Sequence, residues 1–292
     1  MAEITAQMVK DLREMTGAGM MECKKALTEA EGAVEKAVDV LRTRGLAAAA
    51  KKAGRATNEG LVVALLNDEA TTGVLVEVNC ETDFVSRNDV FADFATKIAT
   101  AVLSSNPGDL DALAAVTIGE RTVGELVTEA IHTIGENIQI ARFVRVEAEG
   151  GALASYVHGG GRLGILASLS FSKPETARAE AFAVLAKDIA MQIAAANPGA
   201  VSRESFSDEV IEREKAIYKA QAAESGKPEQ IQEKMATGRL EKFFKENTLL
   251  EQAFIKDCDR TVRDYISTVS KELGDNIEVV GFERFELGGS LG

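Results

Sequence analysis

The sequence predicts an α+β fold: a small helical module, then a duplicated core of short antiparallel sheets with helices, and a helical hairpin inserted in the second copy. Three observations carry this. The first fifty or so residues show helical periodicity broken by glycines. The remainder repeats itself, which is the strongest architectural signal a sequence offers. The offset between the copies then changes partway along, which locates an insertion.

Taken in order, Ile4, Met8, Val9, Leu12 and Met15 fall on one helical stripe, with Thr5 as a cap. Thr16-Gly17-Ala18-Gly19 breaks that helix. A second helix fits Met20 to Ala30 and ends at Gly32. A third fits Ala33 to Arg44, with Val34, Ala37, Val38 and Leu41 inward, and ends at Gly45. Ala47 to Ala53 reads as a helical tether, so the module is assigned residues 1–54. Met20-Met21 at the glycine corner has two readings, core filler or an adaptable binding surface.

The first core subdomain is assigned residues 55–149. Val74 to Val78 reads as an apolar strand running into a polar turn, Asn79-Cys80-Glu81-Thr82-Asp83-Phe84-Val85-Ser86-Arg87. A helix follows, with Phe91, Phe94, Ala95, Ile98, Ala99 and Val102 at helical spacing. An acid and an aromatic therefore sit side by side at a strand-to-helix junction, a common place for functional residues. By pattern alone, Phe84 is a core plug; the sharper reading is a wedge presented to a partner. A second helical stretch, Val127 to Ile134, carries His132, and residues 138–147 alternate as a half-buried strand does.

The second copy begins at an offset of 91. Gly60 aligns with Gly151, Gly73 with Gly164, Phe91-Ala92 with Phe182-Ala183, and Asn106-Pro107-Gly108 with Asn197-Pro198-Gly199. Later the offset is 139: Thr122-Val123 aligns with Thr261-Val262, and Phe143, Arg145 and Glu147 with Phe282, Arg284 and Glu286. The second copy thus carries about 48 extra residues between Gly199 and Thr261. Ser207-Asp208 can cap a helix through Val210, Ile211, Ile217 and Tyr218. Ser225-Gly226-Lys227-Pro228 turns the chain, and Ile231, Met235, Leu240, Phe243 and Phe244 mark the return. The second subdomain is assigned 150–200 and 258–287, the hairpin 201–257, and a glycine-rich stub 288–292. The hairpin reads equally as a docking arm or as an ornament packed on the core. At the offset of 91, Thr82 to Phe84 corresponds to Lys173-Pro174-Glu175. A scaffold that builds the same junction without an aromatic does not need one to fold, which favours the wedge reading of Phe84.

Composition narrows the function classes. The chain has 292 residues and a net charge of −13. Residues 1–55 hold ten Lys/Arg and eight Asp/Glu, leaving 23 basic and 38 acidic residues elsewhere. Tracking bare nucleic acid needs clustered cations, so no direct nucleic-acid role is expected. Cys23, Cys80 and Cys258 are odd in number and far apart, which argues against a disulfide framework or structural zinc and for reduced thiols. No secretory signal and no apolar run of spanning length is found, so a cytoplasmic protein without a membrane role is expected.

The search for chemistry is nearly empty. The histidines are His132 and His158, and neither is paired with a serine or cysteine in a local signature. Gly159 to Gly164 formally matches GxGxxG, but Ile165 to Ser170 reads as a strand where a dinucleotide site needs a helix, so a hairpin turn is expected. No GxxxxGK[ST] occurs. No cofactor, metal or catalytic residue is assigned, and an interaction protein is favoured over an enzyme.

Four stretches then carry a resemblance. Leu12-Arg13-Glu14-Met15-Thr16-Gly17-Ala18-Gly19-Met20-Met21-Glu22-Cys23-Lys24-Lys25-Ala26-Leu27 is one, and Glu77 to Arg87 with Thr82-Asp83-Phe84-Val85 inside is the second. Tyr156-Val157-His158 with Arg162 and Gly164 is the third, and Gly226-Lys227-Pro228 through Lys234-Met235, Gly238-Arg239 and Phe243 the fourth. Together they resemble the bacterial elongation factor Ts family over nearly the whole chain. The resemblance implies a guanine-nucleotide exchange factor for the GTPase elongation factor Tu, acting without covalent chemistry. It also implies a ubiquitin-associated-like N-terminal module and a coiled-coil arm. Asp83 and Phe84, within Thr82 to Val85, match the residues that intrude beside the partner's magnesium site. Met20, Met21 and Lys24 match the module's grip on the same GTPase domain, and the His158 region matches a surface that docks on the partner's third domain. The arm matches a hairpin that makes dimer or partner contacts, leaving a homodimer within a 2:2 complex open. Many relatives add a helix after the final strand; Glu286 to Gly292 is a glycine-rich stub, which implies affinity resting on the other surfaces. The runner-up reading is a ubiquitin-associated-like scaffold without exchange activity. A hydrolase using Cys80 or Cys258 with His158 is the remote third.

Overall fold

The computed structural model describes residues 4–16, 18–224 and 226–289. Gly17 of the expected first break, Ser225 of the expected arm turn and residues 290–292 of the stub lie outside the described residues. The chain is α+β, with helices and small antiparallel sheets. Among the described residues no helix is long and apolar enough to cross a membrane.

Helices α1 (Ala6–Thr16), α2 (Met20–Glu29) and α3 (Val34–Lys52) form the N-terminal module. Thr5 caps α1, its hydroxyl accepting from the Met8 N–H at 3.2 Å. Leu12, Cys23, Ala26, Leu27 and Ala37 are fully buried, and the small residues among them let the three helices approach. The chain leaves α2 through Glu31 and Gly32, both at positive φ (52° and 86°). Met15 departs from the expected stripe: it is 59% exposed, and the buried face of α1 is Val9 and Leu12.

The first core copy runs β1 (Glu59–Leu66), β2 (Thr72–Cys80), the single-turn α4 (Asp83–Ser86), α5 (Asp89–Ser105), α6 (Leu110–Ala115), the short β3 (Thr117–Ile118) and β4 (Arg121–Thr122), α7 (Val123–Ile134) and β5 (Gln139–Glu147). Its sheet has the order β1-β2-β5, all antiparallel. The second copy runs β6 (Gly151–His158), β7 (Leu163–Ser170), a 3₁₀ turn at Pro174–Arg178, α8 (Glu180–Ala196), the arm helices α9 (Asp208–Ala223) and α10 (Glu229–Asn247), β8 (Ala253–Phe254), β9 (Asp257–Thr261), α11 (Val262–Leu273) and β10 (Glu278–Glu286). Its sheet repeats the order as β6-β7-β10. The copies share small devices as well. Asn106 and Asn197 end α5 and α8 in the left-handed conformation, and Thr122 and Thr261 begin α7 and α11 with capping boxes.

Burial explains the strand composition. Along β2, Val74, Val76, Val78 and Cys80 face α5 and α7, while Leu75 faces the other way. Along β7, Ile165, Ala167 and Leu169 face α8 and α11, and Leu166 faces back. Val62, Leu75, Leu166 and Phe285 meet between the sheets, so both central strands are covered on both faces and read as nearly continuous apolar runs. Gly164 lies where the sheets cross: a Cβ there would fall 2.5 Å from Val62 Cγ1. In that layer Glu77 and Arg142 face each other across β2 and β5, both buried, at 2.7 Å. Arg142 also donates to Glu286 O at 2.8 Å and lies 4.3 Å from the Phe285 ring, tying the first sheet to the end of β10.

Two expected boundaries move. Helix α3 does not stop at Gly45 but continues to Lys52. One interior glycine costs about 1 kcal/mol relative to alanine, which the helix formers on either side outweigh. Gly45 is instead buried against Thr128 and His132 of α7. The helical arm is α9 and α10, residues 208–247, shorter than the expected 201–257. Leu249 and Phe254 are buried in the second core, where Phe254 stacks on Tyr265 at 4.3 Å, because β8 and β9 occupy the place that β3 and β4 hold in the first copy. The arm is rooted by Phe206 against Phe243 and Phe244, and by Arg203, which pairs with Glu241 at 2.9 Å and with Glu251.

Candidate functional site

Strand β2 ends at Cys80, and the next two N–H groups have no strand partner. A carboxylate from the loop after α7 satisfies them. Glu136 Oε2 accepts from the N–H groups of Glu81 and Thr82, both at 3.0 Å, and Oε1 accepts from the Thr82 hydroxyl at 2.6 Å. Glu81 answers from the other side: its carboxylate accepts from Asn137 N at 2.6 Å and Arg55 Nη1 at 3.3 Å. The Asn137 N–H, with Arg55 beside it, holds the Glu81 carboxyl below its ordinary value. Asn137 Nδ2 also donates to Arg55 O at 2.9 Å. The segment leaving α3, the loop after α7 and the turn at 81–82 are therefore one hydrogen-bonded unit.

Helix α4 projects from this unit. Phe84 is 83% exposed, so the core plug that pattern alone suggests is not what the fold builds. Phe91, on α5, is fully buried and fills that position instead. Asp83 pairs with Arg87 at 3.0 Å, Val85 packs partly against the first core, and the Ser86 hydroxyl donates to Asp83 O at 3.1 Å. The ring at the tip of this braced turn is left available for burial against another surface.

Met20 and Met21 are 49% and 65% exposed, and Lys24 is exposed, while Cys23, Ala26 and Leu27 take the inward positions of α2. The core-filler reading of the two methionines does not hold. The module is fastened to α7: Arg42 pairs with Glu125, and Lys52 Nζ donates to Ile131 O at 3.0 Å. The His132 side chain is largely buried, with Glu22 of α2 2.7 Å from Nε2. A cavity of about 280 Å³ remains between module and helix, lined by Val38, Leu41 and Leu46 among others. Helix α7 thus holds the module through Glu125 and Ile131, and the loop that follows it supports the Thr82 to Val85 turn through Glu136.

His158 sits exposed at the end of β6, its Nδ1 2.9 Å from Tyr156 Oη. The Gly159 to Arg162 stretch that follows is a turn between strands, not the mouth of a helix. It leans on β1: Gly161 O accepts from Val62 N at 2.7 Å, and Arg162 reaches Glu59 at 3.3 Å. Glu59 pairs with Cys80 across the sheet, so this turn lies at the end of the first sheet from which the Thr82 junction departs. Three exposed groups, on three elements, are thus held on one scaffold.

Burial, then the nearby Glu136 carboxylate, pushes the Cys80 thiol up to about 12, the reverse of an activated nucleophile. Among the described residues no group of three or more His, Cys, Asp or Glu is placed to hold a metal.

Glu136, Glu81, Asn137 and Arg55 were not singled out by sequence reasoning. The repeat contained a signal for the first. At the offset of 139, Glu136 corresponds to Asp275, which accepts from the N–H groups of Ser172 and Lys173, both at 3.0 Å, and from the Thr176 hydroxyl. An acid after Gly135 and after Gly274 is part of the repeated architecture.

Residues 81–289 match the family model described as Elongation factor TS. The chain is 49% identical over 291 residues to Elongation factor Ts of Trichlorobacter lovleyi, covering 99% of this chain and 94% of that one. It is 50% identical over 291 residues to Elongation factor Ts of Syntrophotalea carbinolica, with the same coverage of 99% and 94%. To Elongation factor Ts of Clostridium perfringens it is 49% identical over 286 residues, covering 98% of this chain and 93% of the relative.

Proposed function

The chain belongs to the elongation factor Ts family, and from that premise we propose that it promotes GDP release from the GTPase elongation factor Tu during translation elongation. The observation that carries this reading is Phe84: a phenylalanine 83% exposed on a turn held by a dedicated carboxylate. Its expected neighbour in the complex is the partner's magnesium and phosphate site, with Asp83 entering beside it.

No bond need be made or broken. A GTPase holds GDP through phosphate-cradling backbone groups and a magnesium ion. A protein that binds the nucleotide-free form better than the GDP-bound form weakens GDP binding by the same factor. Each tenfold needs about 1.4 kcal/mol of differential binding. Burying one phenylalanine supplies roughly 1.5–3 kcal/mol, so a wedge whose pocket exists only in the opened partner contributes one or two powers of ten. The remaining surfaces hold the wedge in place. The N-terminal module, ubiquitin-associated-like in this reading, grips the same GTPase domain through Met20, Met21 and Lys24. The second core copy docks on the partner's third domain around His158. The arm makes a further contact, with the partner or with a second copy in a 2:2 complex. The working compartment is the cytoplasm.

Release of a fluorescent GDP analogue from elongation factor Tu, followed by stopped flow, tests the proposal. Acceleration that saturates with added protein is expected. Binding without acceleration leaves the runner-up, a protein-binding scaffold.

A further inference from the structure

We propose that Glu136 is a positioning residue for exchange: it sets the direction in which α4 presents Asp83 and Phe84, and does so without touching the partner. The inference rests on the exchange reading given above. Its first support is the three hydrogen bonds from Glu81 N, Thr82 N and Thr82 Oγ1 to one carboxylate. The second is what the Thr82 side chain leaves undone. Thr82 is the N-cap residue of α4, yet its side chain makes no capping bond to the helix. At Asn88, Asp109 and Thr122 the cap side chain does accept from its own helix. The Thr82 hydroxyl instead donates to Glu136, so the side-chain anchor at the start of α4 comes from the loop after α7 and not from the helix itself.

The third support is the second copy, where Asp275 binds the corresponding N–H groups of Ser172 and Lys173. That junction leads to Glu175 rather than an aromatic. The clamp is thus a device of the fold, and the first copy alone has a wedge on its end. Breaking either clamp disturbs structure; breaking the one at Glu136 alone disturbs exchange.

The test is stopped-flow GDP release from elongation factor Tu at increasing concentrations of full-length protein. It compares wild type with Glu136→Ala, Glu136→Gln, Phe84→Ala, Asp275→Ala and the double variant Phe84→Ala/Glu136→Ala. Glu136→Ala is expected to lower the maximal release rate about tenfold while the half-saturating concentration moves less than twofold. Glu136→Gln, whose amide oxygen still accepts from both N–H groups, is expected to keep more than half of the wild-type rate. Asp275→Ala is expected to leave release within twofold of wild type, and the double variant to be no slower than Phe84→Ala. Should Glu136→Ala not fold, Thr82→Val removes only the hydroxyl bond and is expected to slow release about threefold. Release at the wild-type rate by Glu136→Ala, or by Thr82→Val in its place, overturns the proposal. So does equal slowing by Asp275→Ala, or a double variant slower by the product of the single factors. If the wild-type protein does not accelerate release, the exchange reading falls and takes this proposal with it; if Phe84→Ala is as fast as wild type, the wedge falls and this proposal with it. A slow Phe84→Ala beside a fast Glu136→Ala refutes the positioning role alone.

Discussion

Replacing Phe84 with alanine separates a presented side chain from a structural one. In the free protein Phe84 is 83% exposed, so its removal takes almost nothing from the core. The fully buried Phe91 offers the contrast, since its truncation is expected to cost about 3–5 kcal/mol of stability. The value of Phe84 lies in the complex. Full burial of a phenylalanine is worth roughly 1.5–3 kcal/mol. Scaled by the fraction still available for burial, the ring can contribute about 1.2–2.5 kcal/mol, or roughly 8- to 70-fold in nucleotide release. Stopped-flow release of labelled GDP from elongation factor Tu reads that factor, and thermal unfolding of the free variant reads its stability. The expected result is an unfolding midpoint within a degree or two of wild type and release slowed by at least eightfold. Release within twofold of wild type, with normal folding, refutes the wedge. A large loss of stability refutes the description of Phe84 as a presented side chain.

Further expectations concern the scaffold. Gly60→Ala places a Cβ 2.2 Å from Val78 O and is expected to cost about 3 kcal/mol in denaturant unfolding. Gly45→Ala meets Thr128 and His132 at ordinary contact distances of 3.7 and 3.8 Å and is expected to stabilise by about 0.5–1 kcal/mol. Arg142→Ala strands the buried Glu77 carboxylate and is expected to cost about 3–5 kcal/mol by the same measurement. The folded Glu81 carboxyl is held below its ordinary 4.5, so its contribution is complete above that value and lost as pH falls through the folded one. Unfolding curves for Glu81→Gln between pH 3 and 6 are expected to vary less steeply with pH than those of wild type. With an aromatic disulfide reagent at neutral pH, the exposed Cys258 is expected to react in the folded protein, and Cys23 and Cys80 only after unfolding.

The parts of the fold legible in the sequence are those written twice or written periodically. The paired glycines show why. A Cβ on Gly60 would strike Val78 O, and one on Gly151 would strike Leu169 O at 2.0 Å, the same contact displaced by 91 residues. The left-handed Asn106 and Asn197 and the two capping boxes are likewise local rules applied at both sites. Other parts are set by tertiary contacts that overrule local chemistry. Gly45 carries a breaker's identity but lies inside a helix buried on α7. Residues 248–257 follow a helix without belonging to the arm, because Leu249 and Phe254 find the second core. At the candidate site, the exposed aromatic was visible as an exception to the repeat. Its support was written only as an acid repeated at Glu136 and Asp275, with nothing to say what it binds, since Glu136, Asn137 and Arg55 reach the junction from segments far along the chain.

The most direct test of the account is GDP release from elongation factor Tu with and without the intact protein. The account predicts release that accelerates and saturates as the protein is added, and that depends on Phe84. A stable complex with elongation factor Tu in which GDP leaves at its unassisted rate would contradict it.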